Sequence, residues 1–295
     1  MHYIITGSLG NISKPLTAQL TQAGHHVTVI TSDSAKQAAI EALGAKAAIG
    51  SVTDIDFLTN TFQGADAVYL MVPNNFAAPS IWEHQHAVGD SYVDALKASG
   101  VKRVVLLSSI GAHLRQGAGP IDGLGYLEEA LAGLDLHVKI LRPSYFFYNL
   151  FTMGDMVRHA GIMGSNFGGT DEPIPLTHTH DIADVAAKYL IASDFEGQTV
   201  EYIVSDERTS ADISRVLGTA VGKPETPWIL FSDEEALKGM SEGGLSEDMA
   251  LSYVEMGRAF REGRATEHYI NHKPVFGKVK LEDFAQEFKA AYEGE

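Results

Sequence analysis

The chain contains no cysteine, which excludes disulfides, a thiolate nucleophile and cysteine-ligated metals. It also lacks any apolar run near the ~20 residues that a bilayer-spanning helix needs, and no basic leader precedes its first strand. Cytoplasmic residence without a membrane partner is therefore expected. Positive charge is scarce, with 22 Lys and Arg against 38 Asp and Glu and a formal net charge of −16. Those cations are scattered, so a phosphate backbone would be repelled and nucleic acid is not an expected partner. The acidic surface reads as a solubility feature. Tryptophan is confined to Trp82 and Trp228, both read as packing residues. What remains is an ordinary globular composition, 45% hydrophobic over 295 residues, ample for one large domain or two modest ones.

The most informative stretch is Thr6-Gly7-Ser8-Leu9-Gly10-Asn11-Ile12-Ser13-Lys14. His2 to Ile5 before it is a short β-branched and aromatic run, and Pro15 to Ala23 after it repeats apolar residues at helical spacing. The glycines thus mark a strand-to-helix turn. Gly7 allows the turn to be tight, and Gly10 lets backbone amides approach a phosphate at the positive end of the helix dipole. In the usual dinucleotide fingerprint a third glycine permits close packing of helix on strand. Here that position is Ser13.

Strand and helix signals then alternate. Strands are expected at His26 to Ile30, Ala45 to Ile49, Asp66 to Val72, Arg103 to Ser109 and His137 to Arg142, the last ending at Pro143. Helices are expected from near Ala35, over Asp54 to Phe62, from Pro79 or Ser80 to Ala98, and over Gly123 to Leu134. Nearly continuous apolar strands separated by helices imply a parallel sheet covered on both faces, with ligands at the strand C-terminal edge. Beyond this the rhythm loosens: a helix from Asp181 to Ala192 capped by Asp181, a strand from Thr199 to Val204, a helix from Ser210 to Val221, an extended piece from Pro224 to Phe231, two helices within Asp233 to Gly263, and a last helix from Leu281 to Tyr292. The expected fold class is α/β, a doubly wound parallel sheet of the Rossmann type with a smaller C-terminal α/β lobe. Residues 1–150 form the dinucleotide-binding domain and 151–295 the smaller substrate lobe, with some of its strands and helices completing the first domain.

With the glycine turn, Leu107-Ser108-Ser109, Ile140-Leu141-Arg142-Pro143 and Thr179-His180-Asp181-Ile182-Ala183 in place, the chain resembles the NmrA-like family of atypical short-chain dehydrogenases/reductases. That family includes NAD(P)H-dependent quinone and triphenylmethane reductases and also NADP(H)-sensing regulators without enzymatic activity. The resemblance implies cofactor contacts from Gly7, Ser8, Leu9, Gly10, Asn11 and Ile12 at the pyrophosphate. It implies further contacts from Met71, Val72 and Pro73 where the cofactor crosses the sheet, from Ser108 and Ser109 near the nicotinamide, and from Pro143, Ser144 and Tyr145 over its ring.

Three departures from the pattern bear on chemistry. Cofactor choice is read just after the second strand, where an acidic residue accepts from a ribose hydroxyl or an arginine meets a 2′-phosphate. The chain has Thr31 and Ser32 there. Hydroxyl donors, with charge from Lys36 or Lys14, favour NADP(H) over NAD(H). The YxxxK pair of the broader superfamily is absent, and of the HxxxE pair placed there by related reductases only Glu128 is present, with Leu124 at the histidine position. Tyr126 is then the remaining candidate proton donor beside Glu128, and Ser109 completes the catalytic candidates.

A quinone asks less of a protein than an alcohol does: a flat stacking surface on the nicotinamide and one or two hydrogen-bond donors. Tyr145, Phe146, Tyr148 and Asn149 are the expected substrate wall. His84 with His86, and His178 with His180, have metal-like spacing but no third ligand in sight, so no metal is expected. The expected function is hydride transfer from NAD(P)H to a quinone-like or conjugated small molecule. The alternative is a non-enzymatic NADP(H) sensor acting through a protein partner.

Overall fold

A computed structural model of the chain describes residues 1–294. The first half builds β1 (His2–Ile5), α1 (Ser13–Gln22), β2 (His26–Thr31), α2 (Gln37–Ala42), β3 (Lys46–Ile49), α3 (Ile55–Phe62), β4 (Ala67–Leu70), α4 (Ile81–Ser99), β5 (Arg103–Leu107), α5 (Pro120–Ala132) and β6 (His137–Pro143). The second half adds β7 (Tyr145–Phe146), α6 (Met153–His159), β8 (Met163–Ser165), β9 (Ile174–Thr177), α7 (Thr179–Ala192), β10 (Gln198–Ile203), β11 (Asp206–Arg208), α8 (Ser210–Ala220), β12 (Trp228–Leu230), α9 (Asp233–Glu242), α10 (Glu247–Arg261), α11 (Glu267–Ile270) and α12 (Leu281–Gly294). None of these helices is long and apolar enough to cross a membrane.

The main sheet has seven parallel strands in the order β10-β6-β5-β4-β1-β2-β3. Strand order reverses between β1 and β4, which makes their C-terminal ends the switch point where ligands bind in such sheets. The doubly wound Rossmann architecture is therefore present as expected. One face of the sheet buries Leu16 and Leu20 of α1 with Ile182, Ala186 and Leu190 of α7. The other buries Leu58 and Phe62 of α3, Val88 and Tyr92 of α4, and Leu127 and Leu131 of α5. Burial on both faces is why these strands read as apolar runs with little alternation.

Local chemistry places the helix ends. Ser80 accepts from the Glu83 amide at 3.3 Å and starts α4, which stops at Gly100 with φ +77°. Asp54 caps α3 in the same way through the Phe57 amide. The cap of α7 differs from the expectation: it is His178, whose Nδ1 accepts from the His180 amide at 3.2 Å, while Asp181 lies inside the first turn. Asp181 turns instead to Ser205 and the amides of Lys278 and Val279. Helix α5 starts at Pro120, earlier than its apolar periodicity indicates, because proline suits the first helical position.

The chain after β6 does two jobs. Helix α7 and strand β10 return to the main sheet, while the remainder forms a lobe with a three-stranded sheet, β11-β9-β7, and a parallel pair, β12-β8. A third apolar cluster, centred on Phe147, Met163, Leu176, Phe284 and Phe288, holds that lobe together. Phe62 is fully buried between α3 and the sheet. Phe62→Ala should cost about 3–5 kcal/mol of unfolding free energy, measured as a lower urea midpoint at unchanged m-value.

Candidate functional site

The turn after β1 is tighter than its sequence pattern requires. Gly7 and Ser8 are both left-handed, with φ +89° and +56°. A Cβ on Gly7 would stand 2.6 Å from the Ser13 hydroxyl and 3.1 Å from the Met71 side chain, so no larger residue fits. Ser13 is more than a tolerated substitute for glycine: its hydroxyl donates to the Thr6 carbonyl at 2.8 Å and pins α1 to the end of β1. Thr6 in turn donates to the Tyr69 carbonyl and accepts from the Met71 amide at 2.8 Å, joining β1 to the end of β4.

Within this turn the Ser8 amide donates to Ile30, Gly10 to Gly7 and Lys14 to Gly10. The amides of Leu9, Asn11, Ile12 and Ser13 have no acceptor among the described residues. Helix α1 also lacks a side-chain cap and has no acidic residue in its first turn. By contrast α3, α4, α8, α9 and α10 are capped by Asp54, Ser80, Thr209, Ser232 and Ser246. Free amides, an exposed Gly10 and an unneutralised helix dipole fit a pyrophosphate at this point. The turn forms one wall of a cleft of about 540 Å³ whose other walls include Tyr148, Phe151, His178 and Thr179.

The rim after β2 is partly engaged. The Thr31 hydroxyl accepts from Ser8 Oγ at 2.9 Å and from the Asp33 amide at 3.2 Å, so it serves the turn itself. Asp33 spends one carboxylate oxygen on the Ala35 amide. Ser32, Ser34 and Lys36 are exposed on the same rim. Across the switch point, Met71 is half-buried against Gly7, Val72 is buried, and the Pro73 carbonyl accepts from His84 Nε2 at 2.9 Å.

At the ends of β5 and β6 lies a buried polar network. Ser108 donates to Glu128 Oε1 at 2.5 Å, and Arg142 grips the same carboxylate with Nε at 2.9 Å and Nη2 at 2.5 Å. The remaining Arg142 nitrogen donates to the Tyr202 hydroxyl at 3.3 Å, and Tyr202 meets His268 Nδ1 at 2.8 Å. Burial opposes the Arg142 charge, but the hydrogen bonds and charge of Glu128 outweigh it and hold the guanidinium above its usual range. Arg142 was visible only as part of a strand-end motif; its pairing with Glu128, like the contributions of Tyr202 and His268, depends on register between β6, β10 and α5.

Tyr126 does not join Glu128. Two residues apart on a helix, their side chains leave on opposite sides. Tyr126 stacks on His86, itself stacked on Trp82, and its hydroxyl donates to Asp90 at 2.5 Å. Tyr126 is therefore not paired with Glu128, which is held by Arg142 and Ser108 with Arg115 Nη1 at 3.8 Å. Ser109 is half-buried at the strand end, with no hydrogen bond from its hydroxyl to another described residue. Pro143 is buried, and Ser144 is sealed against Thr177 at 2.7 Å. Tyr145 is half-exposed with its ring edge on Phe167, and burial pushes its hydroxyl well above the usual tyrosine range, keeping it a donor. Phe146 packs on the sheet core, Phe147 belongs to the lobe core, Tyr148 is 52% exposed, and Asn149 sits between them in a 3-10 helix over Phe147–Thr152. The paired histidines have other partners: His178 Nε2 faces Glu287 at 3.2 Å, and His84 and His86 are engaged as above.

These features define a dinucleotide-binding α/β protein, and comparison with known proteins agrees. A family model described as NAD(P)H-binding matches residues 7–192. The chain belongs to this NAD(P)H-binding family. It is 26% identical over 245 residues to prestalk A differentiation protein A of Dictyostelium discoideum, covering 80% of this chain and 75% of that one. Its fold matches an NADPH-dependent quinone oxidoreductase of Escherichia coli complexed with NADPH, with TM-score 0.82, 18% identity and 97% and 99% of the two chains covered. It also matches the Citrobacter sp. triphenylmethane reductase complexed with NADP(H), with TM-score 0.78, 16% identity and 98% and 100% covered. At these identities the structural likeness concerns the fold.

Arg142→Met would leave the buried Glu128 carboxylate without its hydrogen-bonded cation, with only Arg115 Nη1 at 3.8 Å, and should cost about 3 kcal/mol, and the double variant with Glu128→Leu should recover part of that loss; urea unfolding of the three proteins checks the order. A pH dependence also follows. His113, His178 and His268 are all held below the usual value of 6.5, in each case chiefly by burial. The unfolded chain therefore binds more protons as pH falls through that value, so stability present above pH 6.5 is lost below it. Thermal unfolding scans should show the midpoint dropping between pH 7.5 and 5.5, with a shallower drop in His268→Asn.

Proposed function

We propose that this protein is an NAD(P)H-dependent reductase that passes hydride to a quinone-like or similarly conjugated small molecule. The observation that carries the reading is the cleft in which free amides of an uncapped helix face an aromatic wall containing Tyr148 and Phe151. The bound cofactor would supply the hydride from its nicotinamide, and a quinone so reduced takes up one proton to become a hydroquinone. The chain's own part is placement. Leu9, Asn11 and Ile12 amides hold the pyrophosphate, Val72 and Pro73 support the crossing of the sheet, and Ser108 is oriented by the Glu128–Arg142 pair at the nicotinamide end. Ser109 and Tyr145 present hydroxyl groups toward a bound acceptor, and Tyr145 remains protonated under all ordinary conditions. In this reading residues 1–150, with α7 and β10, hold the dinucleotide, and the rest of the lobe presents the acceptor.

NADPH is the favoured form, since Ser32, Ser34 and Lys36 are exposed at the ribose rim while Asp33 is occupied with the Ala35 amide. The fold likeness to complexes with NADPH and NADP(H) supports the same choice.

Fluorescence titration should give tighter binding of NADPH than NADH, and Gly7→Val should abolish both. Stopped-flow mixing with NADPH and a panel of benzoquinones and naphthoquinones should show cofactor oxidation above the protein-free rate, reduced at least tenfold in Ser109→Ala or Tyr145→Phe. Tight NADPH binding without oxidation by any quinone would sink the reductase reading and leave a cofactor sensor.

A further inference from the structure

A second cavity lies away from the glycine turn, at the free edge of the main sheet. It encloses about 730 Å³ between α7, β10 and the strap of residues 271–280 that joins α11 to α12. Strand β10 pairs on one side only, with β6. The amides of Val138 and Ser144 donate to the carbonyls of Gly197 and Ile203, so the odd-numbered residues turn their backbone groups inward. Alternation then points those of Gln198, Val200, Tyr202 and Val204 outward.

The strap satisfies one of these outward groups. Gly277 donates to the Val204 carbonyl at 2.8 Å, and the strap then leaves the edge. No other described residue hydrogen-bonds the backbone of Val200 or Tyr202, although both line the cavity. Side chains around them are apolar and open: Val200 is 41% exposed, Phe276 37% and Val275 98%. Natural proteins normally protect such an edge with charge, proline or a covering segment. Here the covering segment stands off and leaves a slot.

Charge narrows the occupant. Lys273 is paired with Glu207, Lys278 with Asp184 and Glu201 with Lys139. Lys188 on α7 has no carboxylate partner among the described residues; its Nζ reaches the Tyr189 hydroxyl at 3.4 Å. A second copy of this chain would bring another net charge of −16 and a strap of its own against the slot.

We propose that the free edge of β10 is a docking site for an extended segment of a partner protein. This segment carries aliphatic side chains at alternate positions and a carboxylate opposite Lys188, and it adds to the sheet as an eighth strand. Outward amides and carbonyls supply register-tolerant hydrogen bonds, the walls receive every second side chain, and Lys188 selects for the acidic residue. This cavity and the dinucleotide cleft share no lining residue.

The test uses the full chain and two fluorescein-labelled heptapeptides of alternating valine and serine, one with a central glutamate and the other with lysine in its place. Saturable binding of the glutamate peptide is expected, at least tenfold tighter than the lysine peptide, with the preference reversed in Lys188→Glu. Methylating the peptide amides that face β10 should weaken binding at least tenfold without any change to the protein. Val200→Pro, which removes an outward N–H and leaves the β6 ladder intact, should do the same at an unchanged thermal midpoint. Absence of saturable binding, or binding indifferent to amide methylation, would overturn the proposal. So would a sedimenting dimer that Val200→Pro converts to monomer, which would assign the edge to a second copy.

Discussion

Everything at the dinucleotide end depends on how closely α1 approaches the end of β1. Gly7 removes the one Cβ that would keep them apart, and Ser13 fills the gap with a hydroxyl bonded to Thr6. Thr6 extends the same tie across the reversal point of the sheet to Tyr69 and Met71. Because the helix starts hard against the strand, its first amides emerge at the switch point, where neither a side-chain cap nor an acidic residue of the helix's first turn competes with an anion. A single steric condition thus fixes the position, direction and charge preference of the site.

A second constraint governs the ends of β5 and β6. The buried pair of Glu128 and Arg142 joins α5 to β6, takes in Ser108 from β5 and reaches β10 through Tyr202. Such a pair adds little net stability when intact, since desolvation offsets attraction, but its rupture is costly. Its value here is positional: four elements that are far apart in the chain are locked in one register around Ser108. Glu128, held by Arg142 and Ser108, consequently serves as an anchor.

The sheet has two edges of different character. Its C-terminal edge presents helix dipole and free amides, whereas its lateral edge at β10 offers an unpaired ladder. The lobe built from the chain after β6 shapes both. It supplies the aromatic wall to the cleft and the strap to the lateral slot, and it is held by its own core around Phe147 and Phe284.

Much of the fold was legible before the structure because local rules decided it. Apolar runs such as Val68 to Leu70 and Val104 to Leu107 mark strands buried on both faces, Ser80 and Asp54 announce helices, and Gly7 with Gly10 marks the phosphate turn. The short strands β7, β8, β9 and β11 were not legible, since two to four residues carry no period of their own. The cap of α7 was misplaced because Asp181 is the stronger capper by type, yet its carboxylate is claimed by Ser205 and the strap from distant parts of the chain. The sequence by itself determined the parallel sheet, the glycine turn and the absence of a YxxxK pair, all of which are properties of neighbouring residues. Only tertiary structure decided that Tyr126 faces Asp90, that Glu128 is held by Arg142 and that β10 keeps a free edge. Side-chain direction on a helix and the order of strands in a sheet are set by packing between segments, to which no single stretch of sequence has access.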